Sequence, residues 1–253
     1  MIYEDLKGKK VLVTGSSSGI GQATAILFAR QGSYVGIHYF RTKKGAQKTL
    51  KQVKEHSNGT ICGGDLRDEK QAREVVKKFA EAAGGIDILV NNAGTMVDRQ
   101  SFESATLEYH EDVYATNVRS VFLVTRAALP YLKKSKGAIV NIGSVAGQTG
   151  GAGGSGMYSG AKAAVATETI SMAKEFAKYG IWVNSVFPGF IETRFHETYS
   201  TPERCKEVAK KTPLRRNGTG EDIANAVLFL AGEAAGFITG EYIAVNGGLY
   251  MRA

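Results

Sequence analysis

Short aliphatic and β-branched runs alternate with longer amphipathic stretches along this chain, and that alternation limits its fold more than any other feature. Residues 10–14 (KVLVT), 34–39, 60–64, 86–91 (IDILVN), 138–142, 181–187 and 242–245 read as strands. Helical periodicity runs through 19–31, 43–56, 68–82, 106–133, 155–178 and 221–231. Strand, helix and strand in strict alternation require parallel pairing through right-handed crossovers. Uninterrupted apolar strands such as VLV and ILV suit a sheet covered on both faces. The expected architecture is α/β: a single-domain, doubly wound parallel sheet over 1–253 with helices on both faces. Ligands of such a sheet bind at the carboxyl ends of its strands.

The chain has 253 residues, 43% of them hydrophobic, which suffices for one such domain and is short for two. No apolar stretch has bilayer length, and residues 1–10 lack an apolar signal core, so no membrane association and a cytoplasmic location are expected. Cys62 and Cys205 read as free thiols, and the four scattered histidines suggest no metal site. The net charge of +8 permits an anionic partner. Its lysines fall in short clusters (Lys7, Lys9, Lys10; Lys133, Lys134, Lys136) without a nucleic-acid motif, so solvated surface is the reading and no nucleic-acid partner is expected.

After the first strand comes Thr14-Gly15-Ser16-Ser17-Ser18-Gly19-Ile20-Gly21. Glycines at such a turn let backbone approach a pyrophosphate, and the helix that follows offers N–H groups and a positive dipole end. The spacing departs from G-x-G-x-x-G, so a plain strand–helix turn is the competing reading. A dinucleotide turn has an acid about 20 residues on, where NAD places its ribose hydroxyls. Here that position holds His38-Tyr39-Phe40-Arg41-Thr42, with no acid. A guanidinium suits a 2′-phosphate, so Arg41 predicts NADPH over NADH, unless it is a solvated loop charge.

TG-SSS-GIG at 14–21, NNAG at 91–94, Ser144, the run Tyr158-Ser159-Gly160-Ala161-Lys162 and Pro188-Gly189 follow one another in an order that resembles the short-chain dehydrogenase/reductase family over essentially the whole chain. The resemblance implies a Rossmann-type sheet, a nicotinamide cofactor and a catalytic set of Asn117, Ser144, Tyr158 and Lys162. It implies cofactor contacts from Gly15, Ser17, Ser18, Gly19, Ile20 and Gly21 at the turn, and from Asp65 and Leu66 at the adenine. It places Asn91, Ala93 and Gly94 beside the adenosine ribose and in support of the central strand. Pro188, Gly189, Ile191 and Thr193 would line the nicotinamide, and a variable lid would cover about 190–216.

Tyr158 and Lys162 are four apart and share a helix face. A phenol with a pKa of about 10 exchanges protons poorly near neutrality, and a neighbouring ammonium lowers that value. Tyr158 is therefore expected as acid/base, Lys162 as its electrostatic partner and ribose ligand, and Ser144 as the group that orients the substrate oxygen. Asn117 would hold a water linking Lys162 to solvent. The competing readings are a turn cap for Ser144 and, for Asn117, a group that only satisfies backbone. The interval from Ser144 to Tyr158 is slightly longer than in the family and carries Gly147, Gly150, Gly151, Gly153, Gly154 and Gly156, which suggests a mobile loop and puts the placement of Ser144 in question.

The ending from Ile238 to Met251 resembles that of β-ketoacyl-acyl-carrier-protein reductases, which reduce 3-oxoacyl thioesters with NADPH; sugar and polyol dehydrogenases end similarly. Arg194, Arg204, Lys206, Lys210, Lys211, Arg215 and Arg216 form a basic rim on the lid, suited to an acidic acyl carrier protein or coenzyme A phosphates, or else are ordinary charges of an exposed helix. A non-catalytic dinucleotide sensor is the remaining class. The family implies a homotetramer built on the two long helices, with Val121, Phe122, Val124 and Ala127 serving either that contact or the core.

Overall fold

The computed structural model describes residues 3–251, with Arg194, His196 and Glu197 described by main chain only. Seven parallel strands form one sheet in the order β3-β2-β1-β4-β5-β6-β7. They are β1 (Lys10–Val13), β2 (Tyr34–Tyr39), β3 (Gly59–Gly63), β4 (Ile88–Asn91), β5 (Ala138–Ile142), β6 (Trp182–Pro188) and β7 (Tyr242–Val245). Between them run α1 (Gly19–Arg30), α2 (Lys43–Val53), α3 (Glu69–Ala83), α4 (Leu107–Tyr114), α5 (Ser120–Ser135), α6 (Ala146–Thr149), α7 (Gly156–Phe176), α8 (Arg194–Tyr199), α9 (Pro202–Lys211) and α10 (Gly220–Ala231). The chain order reverses between β1 and β4, and this switch point opens a crevice at the strands' carboxyl ends.

Successive strand residues face opposite sides of the sheet. Val11 and Val13, Ile88 and Val90, and Ala138, Val140 and Ile142 join a core with Phe28, Ile223 and Leu230 of α1 and α10. The residues between them, Leu12, Leu89 and Ile139, join the opposite core with Phe79 of α3, Val124 of α5 and Phe176 of α7. Both faces are therefore packed, and β4 and β5 are buried along their whole length. Helix starts follow local chemistry: Asp68 accepts from Gln71 N–H, Thr106 from Tyr109 N–H, and Thr219 forms a reciprocal capping box with Asp222.

Three features depart from the sequence expectation. The helix expected over 106–133 is two helices joined by a π turn, Ala115–Arg119. The glycine-rich stretch after β5 contains the short α6. Two contacts tie it to α7: Gly147 packs so closely that a Cβ would lie 2.9 Å from Ala163 N, and Ser159 Oγ donates to Gly150 O at 2.9 Å. The lid folds as α8 and α9, separated by the sequence Ser200-Thr201, where Thr201 caps α9. No helix among the described residues is long and apolar enough to cross a membrane.

Candidate active site

A cavity of about 690 Å³ occupies the switch-point crevice. One wall is the turn between β1 and α1, through Gly15, Ser18, Gly19 and Ile20. Gly15 and Gly19 have φ of +64° and +58°, the left-handed region that glycine tolerates. A Cβ on Gly15 would lie 2.9 Å from Ala93 Cα, and one on Gly21 would lie 2.4 Å from Asn92 Nδ2, so Gly21 serves close packing under the turn rather than the cavity surface. Asn92 Nδ2 donates to Thr14 O at 2.8 Å, and Thr14 Oγ1 accepts from the N–H groups of Asn92 and Ala93 at 2.9 Å. The first-turn N–H groups of α1 have no intrahelical acceptor and face the crevice, which makes an anion cradle.

The cavity is also lined by Ser144, Tyr158 and Lys162 and by Pro188, Gly189, Ile191 and Thr193, the last of which lies against Gly19 of the turn. Ser144 Oγ accepts from Ala146 N–H at 3.1 Å, and the Ser144 hydroxyl lies near enough to the Tyr158 phenol to favour its ionised form. The turn-cap role considered for Ser144 is therefore present. Lys162 is 4% exposed, and its Nζ donates to Ile142 O at 2.8 Å and lies 5.8 Å from the Tyr158 ring centre. Burial pushes Lys162 down to about 8. Tyr158 is pushed up to about 12 by burial, against the smaller lowering effect of Ser144. The protein alone therefore does not lower the phenol as the sequence reading expected: Lys162 Nζ is directed at the Ile142 carbonyl, and desolvation of the phenolate outweighs the lowering effect of Ser144.

Asn117 sits in the π turn, a local widening that often marks a working site. Its Nδ2 donates to Thr95 O at 2.7 Å and Val113 O at 2.9 Å, while its buried Oδ1 has no protein partner. A Cβ on Gly94 would lie 2.6 Å from that Oδ1 and 3.2 Å from Lys162 Nζ, so both polar atoms converge on the same small space. An unpartnered buried acceptor beside a buried ammonium is a place for a bridging water.

The remaining expected positions lie outside the cavity. Asn91 Nδ2 is spent on Thr125 Oγ1 and Asn141 Oδ1 inside the sheet, so its side chain serves the central strands and does not reach a ribose. Asp65 is bound on both oxygens by Arg67, which holds its carboxyl below the usual range; what this loop offers an adenine is an ion pair, not a free carboxylate. Leu66 is core. Ser17 turns toward α2, its carbonyl 2.5 Å from where a Gly45 Cβ would be. Arg41 is exposed just past β2, its guanidinium 5.0 Å from the Phe40 ring centre, with Arg67 at 5.5 Å from the same ring.

Residues 15–250 match the family model described as Enoyl-(Acyl carrier protein) reductase. The 3-oxoacyl-[acyl-carrier-protein] reductase FabG of Vibrio cholerae is 40% identical over 98% of this chain and 99% of its own length. The NADH-dependent reductase A1-R' responsible for alginate metabolism superposes with a TM-score of 0.91 at 34% identity, covering 99% of this chain and 100% of its own. The same reductase complexed with NAD gives 0.88 at 33%, covering 98% and 99%. The chain belongs to the short-chain dehydrogenase/reductase family.

As a short-chain dehydrogenase/reductase it is an NAD(P)-dependent oxidoreductase of carbonyl groups. Several residues that shape its pocket escaped the sequence reading. Phe195 of α8 lies 5.7 Å from the Tyr158 ring and 4.9 Å from that of Tyr199, forming an aromatic roof. Arg99 lines the cavity and donates to Gly153 O at 2.6 Å and Tyr199 O at 3.3 Å, joining the glycine-rich loop to the lid. His38 and Asn92 brace the turn. Three residues of the basic rim are paired within the protein: Glu207 bonds both Arg204 (2.8 Å) and Lys211 (2.6 Å), and Asp222 bonds Arg216 (2.6 Å). The Arg194 side chain lies outside the described residues. Val121 and Val124 are core, whereas Phe122 is 51% exposed.

Proposed function

We propose that this enzyme reduces the 3-oxo group of an acyl thioester with NADPH, Tyr158 acting as general acid. The observation that carries the reading is the meeting of Ser144, Tyr158 and Lys162 in one cavity with an anion-binding turn. The dinucleotide fits what is present: a glycine turn without room for side chains, orphan helix N–H groups, and an unpartnered Asn117 Oδ1 behind Lys162. Bound, it supplies the hydride.

The protein does the rest. Ser144 donates to the carbonyl oxygen and holds it at the Tyr158 hydroxyl, which gives up its proton as negative charge develops there. Lys162 stabilises the resulting phenolate and holds the nicotinamide ribose. A water on Asn117 Oδ1 returns a proton through Lys162. Because burial raises Tyr158 to about 12, the phenol is fully protonated at neutral pH, the state a reductive general acid requires. Gly15, Ser18, Gly19 and Ile20 would hold the pyrophosphate, with Ser17 supporting the turn from the α2 side; Ala93 and Gly94 would lie beside the adenosine ribose, and Pro188, Gly189, Ile191 and Thr193 would flank the nicotinamide.

NADPH is favoured by Arg41, exposed and stacked on Phe40 where a 2′-phosphate would lie, and by the lack of an acid after β2. The thioester is favoured by the likeness to FabG, a carrier-protein reductase by name. Reduction of a sugar-derived carbonyl is the second reading, favoured by the likeness to the alginate-metabolism reductase. A tetramer assembled on α5 and α7 would cover Phe122 and Ile170, which are 51% and 41% exposed. The test is NADPH oxidation with an acetoacetyl thioester, beside NADH and a sugar panel. Turnover on the thioester supports the reading, turnover on sugars alone transfers it to the second, and cofactor binding without turnover on any carbonyl indicates a sensor.

A further inference from the structure

His38 lies on β2, 2% exposed, away from the substrate wall. Its Nδ1 accepts the Gly15 N–H at 2.9 Å, and its Nε2 lies 3.0 Å from the Gly64 carbonyl. A carbonyl only accepts, so the proton is on Nε2 and the Nδ1 lone pair faces the turn. The main chain repeats the link: Ser16 N–H donates to His38 O, and His38 N–H to Ser16 Oγ, both at 3.0 Å. Burial pushes the imidazole down to about 4, so it is neutral in ordinary buffers. On the other side of the turn Gly15 meets Ala93, where a Cβ would already be too close. The turn is therefore held between His38 and the 91–94 segment.

We propose that His38 is a positioning residue for the dinucleotide: by engaging the Gly15 N–H it fixes the turn whose remaining N–H groups meet the pyrophosphate, and by bonding Gly64 it ties that turn to the Asp65 loop on the adenosine side. The proposal rests on the reading of this turn as the dinucleotide site. A histidine that merely fills space would be replaceable by any side chain of similar volume, with a cost in stability alone. A positioning residue is distinguished by which of its two hydrogen bonds is kept. H38N retains an acceptor near the Nδ1 place, H38Q retains an amide near the Nε2 place, and H38L retains neither.

The experiment measures NADPH affinity by fluorescence titration, kcat at saturating NADPH, and melting temperature for the full-length protein and these three variants. H38L is expected to weaken NADPH about tenfold, the equivalent of one lost hydrogen bond, with kcat at saturation nearly unchanged. H38N is expected to recover most of that affinity and H38Q little of it. The proposal is overturned if H38L binds NADPH as the native protein does, or if affinity follows melting temperature across the series regardless of the bond retained. Should H38L fail to fold, H38N and H38Q decide, and equal affinity in the two overturns it. A native protein that binds no dinucleotide would fail the underlying reading of the site, a result separate from any difference among the variants.

Discussion

Replacing Lys162 with methionine should make the protein more stable near neutral pH while abolishing turnover. The ammonium is 4% exposed, and its fall from 10.5 to about 8 is caused by desolvation. That fall corresponds to roughly 3 kcal/mol by which the fold disfavours the charged form. Methionine is similar in shape and needs no proton, but Lys162→Met strands the Ile142 carbonyl that Nζ bonds at 2.8 Å. An unsatisfied buried acceptor costs about 1–2 kcal/mol, leaving a net gain of about 1–2 kcal/mol at pH 7, or roughly 4 °C in Tm. The sign with pH is fixed by linkage. Below pH 8 both folded and unfolded native chains hold the lysine proton, and the native protein bears the whole penalty. Between 8 and 10.5 the folded state releases it first, so the native protein gains relative stability while the variant does not. The variant's lead should vanish near pH 9.5, where about 2 kcal/mol has been regained. Urea unfolding of both proteins at pH 7, 8.5 and 9.5, followed by the fluorescence of the single tryptophan, Trp182, reads this directly. A variant less stable at pH 7, with a difference flat across pH, would refute the reasoning.

Tyr158→Phe should lower kcat by about 10²–10⁴ while leaving NADPH affinity unchanged in a binding titration. Arg41→Ala should weaken NADPH by about tenfold or more and leave NADH where it was, measured as paired Kd values. Gly21→Ala places a methyl 2.4 Å from Asn92 Nδ2 and 2.6 Å from Gly15 O; a loss of about 1–3 kcal/mol in chemical denaturation is expected, with weaker dinucleotide binding.

The sheet was legible because every second strand residue answers to the same core. Val11 and Val13 face one way and Leu12 the other, and an uninterrupted apolar run reports that both sides are covered. The π turn was not legible: residues 106–133 carry one helical periodicity, and what widens it is the capture of Asn117 by Thr95 O, which lies 22 positions away in the chain. His38 was hidden for the same reason, since its partners are 23 and 26 positions distant. The pairing on the lid was readable in principle. Arg204, Glu207 and Lys211 stand at i, i+3 and i+7, a spacing that joins both cations to the one carboxylate, and reading the charges singly concealed it. Tyr158 and Lys162 were visible through family order alone, but the direction of the phenol's shift required knowing the surroundings into which both side chains fold.

The reversal of strand order between β1 and β4 gives the crevice two walls carried by different strands. Phe40, Arg41 and Arg67, the side chains proposed to meet the far end of the dinucleotide, hang on β2 and β3, whereas the aromatic roof and α9 hang on β6. On the proposed reading, the choice of reductant and the choice of carbonyl rest on different strands, so a change in the segment after β2 alters the first without touching the second.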